Sequence, residues 1–277
     1  MSDQRLPDEA IAYYDAGRER ERLLAGASRI EFARTQDILR RVLPSPPARM
    51  LDIGGGPGGY AAWLACEGYD VQLLDAVALH VEQAADAASR QPEHPFAAMQ
   101  GDARVLPMEN QSADAALLLG PLYHLTERAD RLQALREARR VLRPGGVVAV
   151  AAISRFTSLL DGLWNGFLDD PAFAPIVERD LRDGQHRNPT NQPGYFTTAY
   201  FHHPDELADE ISAAGLELES VRAVEGPAWL LPNLDHWWED DTRRERLLTY
   251  LAAVEREPSL VGVSAHMLAI AVRQKEK

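Results

Sequence analysis

The sequence has 277 residues, of which 45% are hydrophobic and 26% are charged, so it has enough apolar side chains for a large folded core. Its 42 Asp and Glu residues outnumber its 29 Lys and Arg residues, and the net charge of −13 argues against a nucleic acid or an anionic membrane as partner. Cys66, the single cysteine, has no internal disulfide partner, and the first ten residues lack the pattern of a signal peptide, so we expect a cytoplasmic protein.

The chain starts with helical patterns and continues with alternating strands and helices. Residues 1–47 are predicted to form an N-terminal helical lid, with apolar residues at one-face spacing up to Leu43 and a stop at Pro44. Over 48–154, short apolar runs alternate with helical patterns, which is typical of an α/β core built on a parallel sheet. The strands of this core are expected at 49–53, 70–75, 95–100, 113–119 and 146–153.

This regular alternation stops after Ser154. Residues 155–202 have aromatic side chains at irregular spacing and a polar stretch, so we interpret them as an insertion that caps the core. Residues 203–277 are predicted to complete the core. The elements expected there are a helix opened by Pro204, a strand near 216–224, an inserted helix at 239–256 and a last strand from Gly262 to Val272.

The strongest local signal is the segment LDIGGGPGGY at 51–60, which lies between a predicted strand and a helical pattern. Glycines let the backbone turn sharply and approach a ligand closely, and the start of a helix offers free N–H groups. The alternative is a tight turn without a ligand, which would carry the entropic cost of these glycines for no gain in packing. We therefore expect a cofactor at this loop.

The glycine pattern alone leaves the identity of the cofactor open, because Gly54, Gly56 and Gly59 also fit the dinucleotide motif G-x-G-x-x-G. Asp52 directly precedes the glycines, where its charge would repel a pyrophosphate and attract a ligand ammonium. Asp75 ends the next predicted strand and can accept hydrogen bonds from the ribose hydroxyls of an adenosine or of NAD. An NAD(P)-dependent oxidoreductase is thus an alternative at this stage.

Five motifs follow one another along residues 49–153. They are Asp52-x-Gly54-x-Gly56-x-Gly58, Asp75 at the end of the second strand, Gly101-Asp102-Ala103, the strand end Leu117-Leu118-Leu119-Gly120, and Arg143-Pro144-Gly145-Gly146. In this order they resemble the class I S-adenosylmethionine-dependent methyltransferases, and residues 204–272 match that family more loosely. The resemblance implies a doubly wound, mostly parallel, seven-stranded Rossmann-like sheet with one antiparallel strand, and S-adenosylmethionine as cofactor.

The resemblance also implies roles for individual residues. The glycine loop would contact the amino-acid part of the cofactor, Asp75 the ribose hydroxyls, and Asp102 the adenine amino group, with Ala103 beside the ring. The complete set implied to bind the cofactor is Asp52, Gly54, Gly56, Gly58, Asp75, Ala76, Asp102, Ala103, Leu119 and Gly120.

The methyl acceptor is expected just past the fourth strand, because ligands of open α/β sheets lie across the carboxyl ends of the strands. In similar methyltransferases this loop passes beside the transferable methyl, so Tyr123 and His124 are the candidate catalytic residues. His124 would act as a base of near-neutral pKa, and a ring that only satisfies a backbone group is an equal alternative. Candidate acceptor contacts, each with core packing as the alternative, are Tyr13, Tyr14, Tyr200, His202 and Trp229.

These observations predict a methyltransferase that acts on O or N of a small organic acceptor, as a monomer or homodimer. The loop lacks the Asn-Pro-Pro-Tyr pattern that suits nucleobase or glutamine amino groups. No metal is expected, because His202 and the adjacent His203 point to opposite sides of an extended segment. Besides the oxidoreductase, a non-catalytic cofactor-binding protein on the same scaffold is an alternative.

Overall fold

The computed structural model describes residues 9, 13, 14, 18–190 and 192–275. Its strands are β1 (Arg49–Ile53), β2 (Asp70–Asp75), β3 (Ala97–Gln100), β4 (Ala113–Leu118), β5 (Leu142–Ile153), β6 (Gln185–His186), β7 (Ala199–Tyr200), β8 (Glu217–Ala223) and β9 (His266–Val272). Seven of them form one sheet in the order β3-β2-β1-β4-β5-β9-β8, in which only β9 runs antiparallel to its neighbours. The predicted α/β fold, with its single antiparallel strand, is confirmed.

Helices pack on both faces of this sheet. They are α1 (Ser28–Val42), α2 (Gly59–Cys66), α3 (Ala78–Ser89), α4 (Pro121–His124), α5 (Arg128–Val141), α6 (Thr157–Asn165), α7 (Ala174–Asp183), α8 (Pro204–Ala213), α9 (Leu234–Trp238), α10 (Asp241–Val254) and α11 (Pro258–Val261). Short 3₁₀ turns cover Arg18–Leu24, Phe167–Asp169, Pro193–Tyr195 and Gly226–Leu230. In the described part of the chain, no helix has both the length and the apolar composition of a membrane span.

The central strands are apolar on both faces because each face is covered by helices. Along β1, Leu51 and Ile53 face the cluster that contains α5 and α8, whereas Met50 faces the cluster that contains α1 and α2. Residues Ile38 and Leu39 of α1 are fully buried in this second cluster. The helix α1 therefore belongs to the core layer, and the 3₁₀ turn Arg18–Leu24 lies nearer to the carboxyl ends of the strands.

The insertion contains the two helices α6 and α7 and the small antiparallel pair β6–β7. Its own core is aromatic: Phe173 and Tyr195 are buried with Phe167 between the helices and the turn that follows. The pair β6–β7 is held near the main sheet because Ser154 pairs with His202 beyond the end of β5. The insertion thus lies over the carboxyl end of the sheet.

Two predicted boundaries were wrong. The fifth strand was expected from residue 146 after a turn, but β5 already begins at Leu142, because Leu142 pairs with Ala113 and the Pro-Gly-Gly segment then bulges out of the ladder. The last strand was expected to begin near Gly262, but residues 258–261 form α11 and β9 begins at His266. Here Pro258 starts a helical turn at its first position, capped by the Glu257 side chain.

Candidate active site

Two adjoining cavities lie at the carboxyl ends of the parallel strands. The first, which we call the loop cavity, has a volume of about 340 Å³ and is bordered by the glycine loop and the ends of β2 and β4. The second, the insertion cavity, has a volume of about 280 Å³ and lies between the insertion and the sheet. The residues that border both cavities, which we call the junction, are Tyr14, Glu19, Arg22, Tyr123 and His266.

Asp52 is the charged group at the base of the loop cavity. Its side chain is fully buried at the end of β1, and neither carboxylate oxygen has a hydrogen-bond partner of good geometry in the described part of the chain. Burial, reinforced by the charge of Asp75, raises the pKa of Asp52 to about 7. A buried carboxylate without a donor is a site for a cationic or hydrogen-bond-donating ligand group.

Asp75 at the end of β2 organises the loop that surrounds it. One of its oxygens accepts the backbone N–H of Gly56 at 2.9 Å, and the other accepts that of Val77 at 2.8 Å. Gly56 has a φ of +56°, which favours glycine, and a Cβ atom placed there would meet only open space. Asp75 and the adjoining Ala76 both border the loop cavity, so a ligand there can reach the Asp75 carboxylate and the Ala76 backbone.

Asp102 and Ala103 border the opposite side of the loop cavity, after β3. The Asp102 carboxylate is held by Arg104, whose Nη2 lies 2.6 Å from Oδ2. Arg104 also reaches Asp130 at 2.8 Å and thereby fixes the loop to α5. Arg104 also borders this cavity, and the sequence analysis did not select it.

Leu119, Gly120, Gly54 and Gly56 border the loop cavity as expected, but Gly58 does not. A Cβ atom at Gly58 would come within 3.1 Å of Phe96 and 3.2 Å of Ala84. The glycine is needed there because α2 starts in close contact with the neighbouring helix and strand. The structure thus gives Gly58 a packing role, and its contact with the cofactor stays a prediction.

The insertion cavity is mostly aromatic. The rings that border it come from the N-terminal segment, the insertion and the turn after β8, and they are Tyr13, Tyr14, Tyr123, Phe173, Tyr195, Phe196, Phe201 and Trp229. Polar groups also border it, including Ser158 and Asp161 on α6. Burial raises the pKa of Asp161. Such a cavity suits a small ring-shaped ligand with few polar groups.

Tyr200 and His202, two of the predicted acceptor contacts, border neither cavity. Tyr200 packs under the guanidinium of Arg131, which lies 3.6 Å from the ring centre. His202 is fully buried and its Nε2 lies 3.3 Å from Glu210, a carboxylate that Arg131 also binds. The structure gives both residues contacts with the buried ion pair between α5 and α8, and their contact with an acceptor stays a prediction.

Tyr123 and His124, the candidate catalytic residues, are buried in the short helix α4. The ring of His124 lies in an aromatic environment, and its Nε2 is 2.6 Å from the hydroxyl of Tyr14. Burial lowers the pKa of His124 to about 4, so the expected near-neutral pKa is not found in this arrangement. At neutral pH the imidazole is uncharged.

The junction also contains an ion-pair network that the sequence analysis missed. Arg22 binds Glu31 through two hydrogen bonds, of 2.5 and 3.0 Å, and Nδ1 of His266 lies 2.6 Å from Glu225. These residues come from four separate places: the N-terminal 3₁₀ turn, α1, the segment after β8, and β9. No local sequence pattern therefore indicates the cluster. Signals that could have drawn attention to it are a histidine at the start of an apolar strand and Glu31 at helical spacing from Arg34, Thr35 and Ile38.

Glu31, Glu225 and His266 place one potential ligand atom each within 4.8 Å of one another. Their oxygens are already engaged, because Arg22 binds Glu31 while the Ser264 hydroxyl and the His266 backbone N–H donate to Glu225. We read the cluster as an ion-pair network and assign no metal to it.

Comparison with known proteins finds a family model, described as a methyltransferase domain, that matches residues 51–150. Two curated relatives are 33% identical: the methyltransferase GfsG of Streptomyces halstedii over 144 residues, and a malonyl-[acyl-carrier protein] O-methyltransferase of Methylococcus capsulatus over 151 residues. Each alignment covers 51% of this chain, and 48% and 53% of the respective relatives. The chain thus spans about half the length of these relatives.

Among solved structures, a methyltransferase from Methanosarcina mazei described as S-adenosylmethionine-dependent superposes with a TM-score of 0.59. The match covers 86% of this chain and 98% of the other, at 19% sequence identity. At that identity the likeness establishes the fold alone.

Proposed function

We propose that the chain is a class I S-adenosylmethionine-dependent methyltransferase that transfers a methyl group to O or N of a small organic acceptor. The premise is the match of residues 51–150 to a family model described as a methyltransferase domain. The observation that carries the proposal is the junction, where a cavity lined by the glycine loop meets a cavity lined by aromatic rings. A donor in the first cavity and an acceptor in the second would meet between Tyr14, Tyr123 and His266.

The loop cavity fits the donor in its chemistry. Asp52 offers an unpaired buried carboxylate to the ammonium of the amino-acid part, and the open space at Gly56 lets the backbone approach it. Asp75 would hold the ribose hydroxyls, and Asp102 with Ala103 would lie beside the adenine. When bound, S-adenosylmethionine supplies a methyl carbon that is already activated by its sulfonium.

The role of the chain is then to align the acceptor and to exclude water. Positioning alone can supply a large part of the acceleration, because a bound near-attack geometry replaces a bimolecular encounter. The junction residues Tyr14 and Tyr123 are both buried, which keeps this point of the site dry. The malonyl-[acyl-carrier protein] O-methyltransferase among the relatives supports an oxygen acceptor but does not define the acceptor of this chain.

Isothermal titration with S-adenosylmethionine and with NAD tests the donor. We expect micromolar binding of S-adenosylmethionine and none of NAD. Binding of NAD alone would overturn the proposal in favour of the NAD(P)-dependent oxidoreductase, which shares the glycine pattern and Asp75 but leaves Asp52 without a role.

Formation of S-adenosylhomocysteine with a panel of phenols, amines and carboxylates tests turnover. A chain that binds the donor but gives no product above background with any of them would favour the non-catalytic alternative. We further propose that the protein acts in the cytoplasm as a monomer or homodimer, without nucleic acid or membrane, in keeping with its net charge of −13.

A further inference from the structure

His266 is the only imidazole that borders both cavities among the described residues. Its Nδ1 is bound to Glu225, which in turn accepts the hydroxyl of Ser264 at 2.8 Å and the backbone N–H of His266 at 3.0 Å. The contact with Glu225 thus holds the imidazole ring at its Nδ1 edge. Nδ1 and Nε2 project from different edges of an imidazole, so the bond to Glu225 leaves Nε2 as the second donor of a residue that borders both cavities.

The charges around His266 keep it protonated. Burial alone would lower its pKa, but the carboxylates of Glu31 and Glu225 raise the pKa to about 9, with Arg22 opposing them. Glu19, the other acid at the junction, is bound by Nε of Arg22 at 2.8 Å. At neutral pH the Nε2 atom of His266 is therefore a charged hydrogen-bond donor, and it cannot act as a base.

A second donor borders the same space. The hydroxyl of Tyr123 makes no hydrogen bond to any group in the described part of the chain, although the residue is 91% buried. Burial raises the pKa of Tyr123 well above its ordinary value, so the hydroxyl keeps its proton at neutral pH. The guanidinium of Arg22, in contrast, already donates hydrogen bonds to Glu19, Ser28 and Glu31.

We propose that the acceptor is a small phenol or enol that binds as its anion at the junction, where Nε2 of His266 and the hydroxyl of Tyr123 donate hydrogen bonds to its oxygen. This inference rests on the proposed methyltransferase function and narrows it. Two donor residues that border the same junction suit an anionic oxygen, which keeps a further lone pair for reaction. They do not suit a neutral amine, whose single lone pair would be tied up by a donor. The aromatic walls of the insertion cavity fit the ring.

The reaction balances without a base at the junction. The acceptor releases its proton to solvent when it binds as an anion. A lone pair of its oxygen then forms the new C–O bond while the bond from carbon to the donor sulfur breaks, and that electron pair stays on sulfur. The products are a neutral ether and a neutral thioether, and His266 and Tyr123 keep their protons throughout.

The binding of 4-nitrophenol measures this directly, because the phenolate has its own absorption band. With S-adenosylhomocysteine bound, we expect the wild-type protein to take up the phenolate and to lower the apparent pKa of the bound probe. His266→Gln and Tyr123→Phe should each weaken phenolate binding about tenfold or more, since each removes a hydrogen bond to a charged oxygen. The matched control is His94→Gln at an exposed position, which should change nothing.

His266→Gln and Tyr123→Phe are complementary tests. Loss of His266 leaves Glu225 without its partner and can unfold the chain, whereas Tyr123→Phe removes one oxygen atom and leaves the ion pairs intact. Titration of S-adenosylhomocysteine into every variant separates this inference from the proposed function. If the wild-type protein does not bind S-adenosylhomocysteine or S-adenosylmethionine, the proposed function fails.

If the nucleoside binds normally and the probe binds only as neutral nitrophenol or not at all, the inference is overturned while the function stands. The same conclusion follows if Tyr123→Phe binds the phenolate as tightly as the His94→Gln control, or if aniline is methylated faster than phenols.

Discussion

The hydroxyl of Tyr14 lies 2.6 Å from Nε2 of His124, across 110 positions of sequence, and joins the N-terminal segment to the loop after β4. Because burial lowers the pKa of His124 to about 4, the imidazole is neutral and its Nε2 can accept a hydrogen bond from the Tyr14 hydroxyl. Both residues border the loop cavity. This hydrogen bond therefore ties the N-terminal segment to the border of the loop cavity.

Removing the bond should speed the release of the cofactor. We expect Tyr14→Phe and His124→Ala each to raise the dissociation rate of S-adenosylhomocysteine about three- to tenfold, the range for one neutral hydrogen bond. The double variant should add little to either single change, because both break the same contact. Stopped-flow displacement measures the rates, and Tyr250→Phe at an exposed tyrosine is the control. Strictly additive effects would mean that the two residues act separately.

Asp75 should determine the affinity for the donor. Asp75→Asn removes the charge that would face the ribose hydroxyls and weakens the hydrogen bonds to Gly56 and Val77, so we expect a loss of at least about tenfold in affinity for S-adenosylmethionine. The matched control is Asp70→Asn at the exposed start of the same strand. Calorimetric titration that finds equal affinities in both variants would remove Asp75 from the donor site.

Asp52 is expected to favour binding of the donor and to lower the stability of the ligand-free protein. Its pKa of about 7 lies above its ordinary value of 3.8, so without a ligand the free energy of unfolding falls as the pH rises from about 4 through 7. We expect Asp52→Asn to stabilise the ligand-free protein at pH 8 by roughly 2–4 kcal/mol and to weaken donor binding at the same pH. Urea unfolding at pH 5 and pH 8 checks this, with a smaller gain expected at pH 5. A gain that does not depend on pH would show that ionisation of Asp52 is not its cause.

The donor side was predictable from sequence because its signals are local. Asp52 and Asp75 lie at the carboxyl ends of β1 and β2, and Asp102 comes two residues after β3, so the parallel sheet places all three at one edge. The packing role of Gly58 could not be predicted in this way. Its motif position suits a ligand, but the close approach of Phe96 and Ala84 comes from other elements of the fold.

The acceptor side was only partly predictable, because tertiary packing places its residues. Tyr14 and Trp229 reach the insertion cavity and Tyr200 does not, although all three are aromatic residues in irregular segments. The difference is that Arg131, 69 positions before Tyr200, draws that ring to the buried ion pair with Glu210. His266 was missed because its partners Glu31 and Glu225 come from two distant elements.

Glu255, just after α10, is expected to be a main determinant of stability. Its buried carboxylate binds Arg41 at 2.7 Å, Arg222 at 3.1 Å and the fully buried Arg34 of α1. Burial alone would raise the pKa of Glu255, but the hydrogen bonds from Arg41 and Arg34 lower it. Glu255→Gln removes the buried carboxylate that three guanidinium groups share and leaves Arg34 and Arg41 with Asp37 alone, so we expect a loss of roughly 3–5 kcal/mol in the free energy of unfolding at pH 7.

Acid provides the second arm of this test. Because the pKa of Glu255 is lower in the folded than in the unfolded chain, its contribution is present above its ordinary value of 4.5 and is lost as the pH falls through the folded value. Urea unfolding should therefore show a large difference between wild type and Glu255→Gln at pH 7 that shrinks toward pH 3. Glu245→Gln, at an exposed position on α10, should match the wild type at both values. If both glutamine variants unfold alike, Glu255 does not anchor α1 to the end of α10, and Arg34 must be stabilised by Asp37 and the carbonyl oxygen of Val224.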